Sequence, residues 1–263
     1  MAEPNPEELV DLGMLSYDKQ DFSKARKYFE KACGLKYGGG CGALGDLYDD
    51  GKGVEKNLIK ATQFYSKACG LKDGRGCFNL GRLYYFGEGV EKNLTKASQY
   101  FSKACGLNNS GGCGALGMQY EYGQGVEKNL TKASQYFSKA CGLNNSGGCG
   151  ALGMQYEYGQ GVEKNLTKAA QFYSKACDLN NGGGCFNLGR LYYFGEGVEK
   201  DLIKAAYFYS KACDLNNGGG CFNLGRLYYF GEGVEKDLTK ADQYFSKACK
   251  LGVKEACEAL KEK

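Results

Sequence analysis

Fourteen cysteines and no histidine define the chemistry open to this 263-residue chain. The cysteines stand at 33, 41, 69, 77, 105, 113, 141, 149, 177, 185, 213, 221, 249 and 257, so spacings of 8 and 28 alternate along the chain. Without histidine the commonest general base is missing, and zinc loses its usual nitrogen ligand. Cys-x7-Cys is also not a usual finger spacing. Free thiols filling small buried sites are the bland alternative, but strict pairing argues for a disulfide framework. The pairing has to be local. Equivalent cysteines of successive repeats would sit on helices about 8–10 Å apart or more, whereas a disulfide tolerates Cα separations only up to about 7 Å. The expected bridges are Cys33–Cys41, Cys69–Cys77, Cys105–Cys113, Cys141–Cys149, Cys177–Cys185, Cys213–Cys221 and Cys249–Cys257. Seven of them imply an oxidising compartment.

Other nucleophile patterns are weak. A Ser-x-x-Lys accompanied by its helper motifs is lacking. Ser-Lys pairs such as Ser210-Lys211 are adjacent, and neighbours on a helix do not face each other. The Gly-x-Gly-Val stretches follow helical segments rather than strands, so they lack the setting of a phosphate-binding loop. No cofactor fingerprint occurs, and no metal site or catalytic residue is assigned.

The cysteine step of 36 residues is shared by the whole chain. Gly53-Val54 recurs at Gly89, Gly125, Gly161, Gly197 and Gly233, and Tyr48 at Tyr84, Tyr120, Tyr156, Tyr192 and Tyr228. A period of this size with helical patterning means stacked helix pairs. In one period, Cys185, Leu188, Leu191, Tyr192 and Gly195 share a face of a first helix, A. Gly189 inside that helix costs about 1 kcal/mol relative to alanine, which points to a close helix crossing. Gly195-Glu-Gly197 ends helix A. Asp201 then caps a helix B whose stripe is Leu202, Ala205, Phe208, Tyr209 and Ala212. The Asn-Gly turn at Leu215–Gly218 leads into the next A helix. The same N-cap role accounts for Asn93 in the sequon Asn93-Leu-Thr95.

The fold class is therefore all-α: an αα-solenoid, a right-handed superhelix of seven disulfide-stapled helix pairs plus a C-terminal capping helix. Residues 1–263 are read as a single repeat domain. Within it, 1–36 form an N-terminal capping pair, 37–252 six 36-residue repeats, and 253–263 the capping helix. The net charge is +4, with lysines scattered as Lys-Ala pairs and no dense basic block. That excludes a nucleic-acid footprint. No apolar run is long enough to span a bilayer, and Met1-Ala2-Glu3-Pro4 does not read as a signal peptide.

The run Leu188-Gly-Arg-Leu-Tyr192-Tyr-Phe-Gly195-Glu-Gly197-Val198-Glu-Lys-Asp201-Leu-Ile-Lys204-Ala205 resembles the Sel1-like repeat, a relative of the tetratricopeptide repeat. With the added Cys-x7-Cys pair it resembles the Helicobacter cysteine-rich proteins, which are secreted solenoids. The resemblance implies A helices on a concave side and an adaptor role. It also carries an alternative, penicillin binding or weak β-lactamase activity on cell-wall compounds. One feature is unlike a natural member. Asn93–Lys128 and Asn129–Lys164 are identical at all 36 positions, and Cys177–Asp201 matches Cys213–Asp237 over 25. Recent gene duplication could produce such identity, but deliberate reuse of repeat modules accounts for it better, hence an engineered or chimeric chain.

Positions that vary between repeats on helix A are the candidate recognition surface. They are Asn79, Arg82 and Tyr85; Met118 and Glu121; Met154 and Glu157; Asn187, Arg190 and Tyr193; and Asn223, Arg226 and Tyr229. Asn can hydrogen-bond a peptide backbone, Arg can hold a carboxylate, and Tyr supplies area at low entropic cost. Phe186 and Phe194 read equally as groove lining or as packing against the next repeat. The expected partner is a protein or extended peptide, with no nucleic acid and no membrane, bound by a monomer.

Overall fold

The computed structural model describes residues 4–261, so Met1, Ala2 and Glu3 of the N-terminal reading lie outside the described residues. The chain divides into two compact units, Met1–Asn129 and Leu130–Lys263. The first holds α1 (Pro6–Asp18), α2 (Phe22–Gly34), α3 (Gly38–Asp50), α4 (Leu58–Gly70), α5 (Gly74–Phe86), α6 (Leu94–Gly106) and α7 (Ser110–Tyr122). The second holds α8 (Leu130–Gly142), α9 (Ser146–Tyr158), α10 (Leu166–Asp178), α11 (Gly182–Phe194), α12 (Leu202–Asp214), α13 (Gly218–Phe230), α14 (Leu238–Lys250) and the short cap α15 (Lys254–Ala259). Odd-numbered helices up to α13 are the A helices and even-numbered ones the B helices. Among the described residues every regular element is helical.

Local chemistry sets the boundaries. The Asp201 side chain accepts from the Lys204 N–H and caps α12. Its own N–H donates to the Tyr192 carbonyl at 2.9 Å, tying the loop back to helix A. Gly195 ends α11 at φ 74°, in the left-handed region. Gly197 follows at φ 70°, and a Cβ there would lie 2.4 Å from the Leu166 carbonyl carbon, so the loop rests directly on the preceding B helix. In the B-to-A turn Asn216 adopts φ 58°. Asn217 then caps α13, its side chain accepting from Gly220 N–H at 2.8 Å.

Packing repeats with the period. The Tyr192 and Phe208 rings stack at 5.6 Å and 7°, and the Lys204 ammonium lies 5.2 Å from the Tyr192 ring centroid. The next residue, Ala205, is fully buried. Thus each Lys-Ala pair at this position places a cation on an aromatic face and a methyl group in the core. The close crossing expected at Gly189 is the Tyr209 ring. A Cβ on Gly189 would lie 2.8 Å from it and 3.3 Å from the Ala205 carbonyl oxygen.

All seven expected disulfides are formed, with Cα–Cα distances of 4.5–4.8 Å. Each links the last turn of a B helix to the first turn of the next helix. Within each unit consecutive helices pack on one another, and successive A helices also touch: α3 against α1 and α5, α11 against α9 and α13. Successive B helices do not pack together in this way among the described residues. Neighbouring repeats of each unit thus meet directly through their A helices.

Candidate functional site

The candidate residues lie on the A helices, and the structure sorts them by what they touch. In the first unit Asp46 and Asp49 of α3 form the centre of a polar cluster. The buried Tyr65 hydroxyl reaches Asp46 Oδ1 at 2.8 Å and Asp49 Oδ2 at 3.2 Å. The Asn79 amide donates to Asp46 at 3.2 Å. Arg75 pairs with Asp46 and Arg82 with Asp49, and Arg82 reaches Glu88 at 3.2 Å. Burial raises the Asp46 pKa, with Arg75 opposing it, and burial beside Asp46 raises that of Tyr65. A cavity of about 300 Å³ opens over this cluster, lined also by Met14, Tyr17 and Asp50.

The second unit repeats the theme. Glu157 is buried at 6% exposure. It accepts from the Tyr173 hydroxyl at 2.7 Å and pairs with Arg190. Arg190 also approaches Glu196 at 3.7 Å. Arg82 and Arg190 are thus held by carboxylates of the preceding repeat instead of facing open solvent. Tyr85 donates to Gln124 at 2.7 Å, and Tyr193 donates to Glu232 at 3.0 Å.

The rest are more open. Met118 and Met154 are 50% and 44% exposed. Tyr229 is exposed and packs edge-on against Phe230. Arg226 is exposed, and Asn187 and Asn223 are half-buried. Phe186 divides from Phe194 as well: it is half-buried with its ring centroid 6.0 Å from that of Tyr209, whereas Phe194 is 60% exposed. A second cavity, of about 80 Å³, is lined by Arg190, Tyr193, Tyr209, Asn223, Arg226 and Glu232. Burial pushes the Tyr209 phenol up to about 12.

Two features escaped the sequence reading. Gln119 and Gln155 stand where other repeats have leucine and are 1% exposed. The signal was available, since each follows a serine by 21 residues, at a position where other repeats carry Thr62, Ala170, Ala206 or Asp242. A Ser-x-x-Lys also occurs, at Ser16–Lys19. The Ser16 hydroxyl is buried and donates to the Leu12 carbonyl at 2.9 Å.

The Sel1 repeat family model matches residues 13–37, 40–73, 74–109, 112–145, 148–181, 183–217 and 219–253. The chain belongs to the Sel1 repeat family. Among curated relatives, the putative beta-lactamase HcpC of Helicobacter pylori J99 is 64% identical over 58 residues, 22% of this chain and 20% of that protein. The beta-lactamase HcpA of the same strain is 59% identical over 58 residues, covering 22% and 23%. The matched stretch therefore spans about a fifth of those relatives' length. Two solved structures share the fold over most of the chain. The protective antigen c5321 of uropathogenic Escherichia coli has a TM-score of 0.85 at 28% identity, over 96% of this chain and 55% of that one. A Sel1 repeat protein from Oxalobacter formigenes has a TM-score of 0.80 at 27% identity, over 91% and 96%. Among the described residues, no helix of this Sel1 repeat protein is long and apolar enough to cross a membrane.

Proposed function

We propose that the A-helix face of this Sel1 repeat scaffold binds an extended peptide segment of another protein. One observation carries the reading: large apolar side chains recur, exposed, at one register of the A helices. Phe86 and Tyr122 in the first unit are 59% and 64% exposed, and Tyr158, Phe194 and Phe230 in the second are 62%, 60% and 58% exposed. They stand at the last residue of α5, α7, α9, α11 and α13. Monomeric proteins rarely leave such rows uncovered, and aromatic anchors beside polar groups suit peptide recognition. In the first unit Met118 stands one turn before Tyr122, and in the second Met154, Asn187 and Asn223 precede Tyr158, Phe194 and Phe230 on their helices.

The seven disulfides agree with action in an oxidising, secreted or periplasmic setting. The two identical modules agree with assembly by module reuse, in which case the partner is one that selection would have to supply. Selection from a displayed peptide library, followed by calorimetry, tests the reading. Phe194→Ala/Phe230→Ala should weaken a selected peptide by about 2–4 kcal/mol with helicity unchanged. A full library that yields no binder, or a binder indifferent to both aromatics, would remove the site from this face.

A second reading follows from the names of the Helicobacter relatives, β-lactam binding or hydrolysis. Nitrocefin turnover by the intact, oxidised protein tests it.

A further inference from the structure

Three groups stand in the same register once in each unit. An acid on an A helix is followed 16 residues later by a buried tyrosine on the B helix, and 33 residues later by an arginine on the next A helix. Asp49, Tyr65 and Arg82 are one such set, in which both donors contact the carboxylate. Glu157, Tyr173 and Arg190 are another, with the same two contacts. The carboxylate neutralises the guanidinium and accepts a hydrogen bond from the phenol, a charge-assisted pair of hydrogen bonds.

The donor pair occurs a third time, as Tyr209 and Arg226, but the acid position there is Tyr193. Tyr193 does not take the carboxylate's place, since its hydroxyl donates to Glu232. Arg226 forms no ion pair within 4.0 Å among the described residues. Tyr209 is 2% exposed as a residue, and it lines the 80 Å³ cavity together with Arg226 and Asn223. Elsewhere loss of the acid comes with loss of the donors. Behind Tyr85 stand Phe101 and Met118, and behind Tyr229 stands Phe245. Among the described residues, only at Tyr193 do a buried phenol and a guanidinium remain without the acid they hold in the sister repeats.

We infer that the cavity between Tyr209, Asn223 and Arg226 takes a carboxylate from outside the chain, a peptide's C-terminus or an Asp or Glu side chain. The inference deepens the peptide-binding reading and rests on it for the ligand's source. The charges facing the cavity permit it. Arg190 is matched by Glu157, so Arg226 stands against Glu232 alone, and Glu232 is engaged by Tyr193. Asn223 adds an amide donor beside the phenol. The geometry an incoming carboxylate would adopt is the one Glu157 adopts one repeat earlier.

The test is an NMR titration of the oxidised full chain that follows the Arg226 Nε–H signal. The probes are N-acetylalanine, for a C-terminus, and N-acetylglutamate α-amide, for a side chain. N-acetylalanine amide is the neutral control. At least one acid should bind about tenfold or more tighter than the control, and the tighter acid identifies the source. Tyr209→Phe is structurally safe, because Phe101, Phe137 and Phe245 occupy that position in other repeats. It should weaken the acid severalfold, as should Arg226→Ala. Tyr193→Glu should restore the internal acid, abolish acid binding and raise the melting temperature. Equal binding of acid and amide, or acid binding unchanged in Tyr193→Glu, overturns the inference. A library peptide that binds the face but ignores Arg226→Ala overturns it too, while leaving the peptide reading intact. Acid binding without any library binder would do the reverse.

Discussion

Gln119 shows how a single buried side chain betrays an imperfect fit. It is 1% exposed, yet its Oε1 has no hydrogen-bond partner among the described residues. Its Nε2 reaches the Leu94 carbonyl only at 3.5 Å, and Ser98 donates to that same carbonyl at 2.9 Å. In the sequence-identical module, Ser134 does reach Gln155 Oε1, at 2.5 Å. Other repeats fill the two positions with Ala170 and Leu191, or Ala206 and Leu227, all buried in common apolar clusters. From Thr62 onward glutamine comes with serine, and leucine comes with alanine or, at Thr62 and Leu83, with threonine. An unsatisfied buried polar atom costs about 1–3 kcal/mol. Ser98→Ala/Gln119→Leu should thus stabilise the protein by about 1–2 kcal/mol in urea unfolding. A loss of stability would show that the amide is satisfied in solution.

At the scale of the helix pair, the register between A and B is set by a ring lying over a glycine. Phe29 covers Gly13, Tyr65 covers Gly45, Tyr173 covers Gly153 and Tyr209 covers Gly189; in each case a Cβ on the glycine would lie 2.3–2.8 Å from the ring. Helix propensity alone favours alanine at such a position by about 1 kcal/mol. Packing opposes it, because the methyl group would displace the ring and press on the Ala205 carbonyl. Gly189→Ala should destabilise by about 1–3 kcal/mol net, read from the shift in urea midpoint. A stabilised variant would mean that the ring moves aside freely and that the glycine is not what sets the crossing. The crossing was legible as a mid-helix glycine recurring every 36 residues. That its partner is the aromatic ring of the same pair was not, since the spacing does not say which neighbour comes close.

For the whole molecule, stability rests on joints between neighbours. The first unit carries three staples and the second four. Each closes a loop of about nine residues, a contribution of about 2.5 kcal/mol in the chain-entropy picture. Repeat proteins unfold where a joint is weakest. Full reduction without denaturant should therefore lower the melting temperature by more than about 10 °C, with far-UV helicity partly retained below the new midpoint. A melt that does not move after thiol titration confirms reduction would show that the helix packing alone sustains the fold.

The sequence by itself determined the period, the helix caps, the left-handed glycines and the pairing of every cysteine. These features are covalent or lie within a few residues of their partners, where spacing and side-chain chemistry leave one solution. The A-helix face was also readable as the variable face, because core positions repeat and surface positions need not. What only the tertiary structure decided is which of those variable residues remain available. Arg82, Arg190 and Arg226 have the same type and register, and no local feature separates them. Their fates depend on a residue 33 positions earlier, across a joint: Asp49 and Glu157 neutralise the first two, and Tyr193 leaves the third without a carboxylate. Coulombic pairing acts through space, so the difference emerges only once the helices are stacked and donor and acceptor face each other.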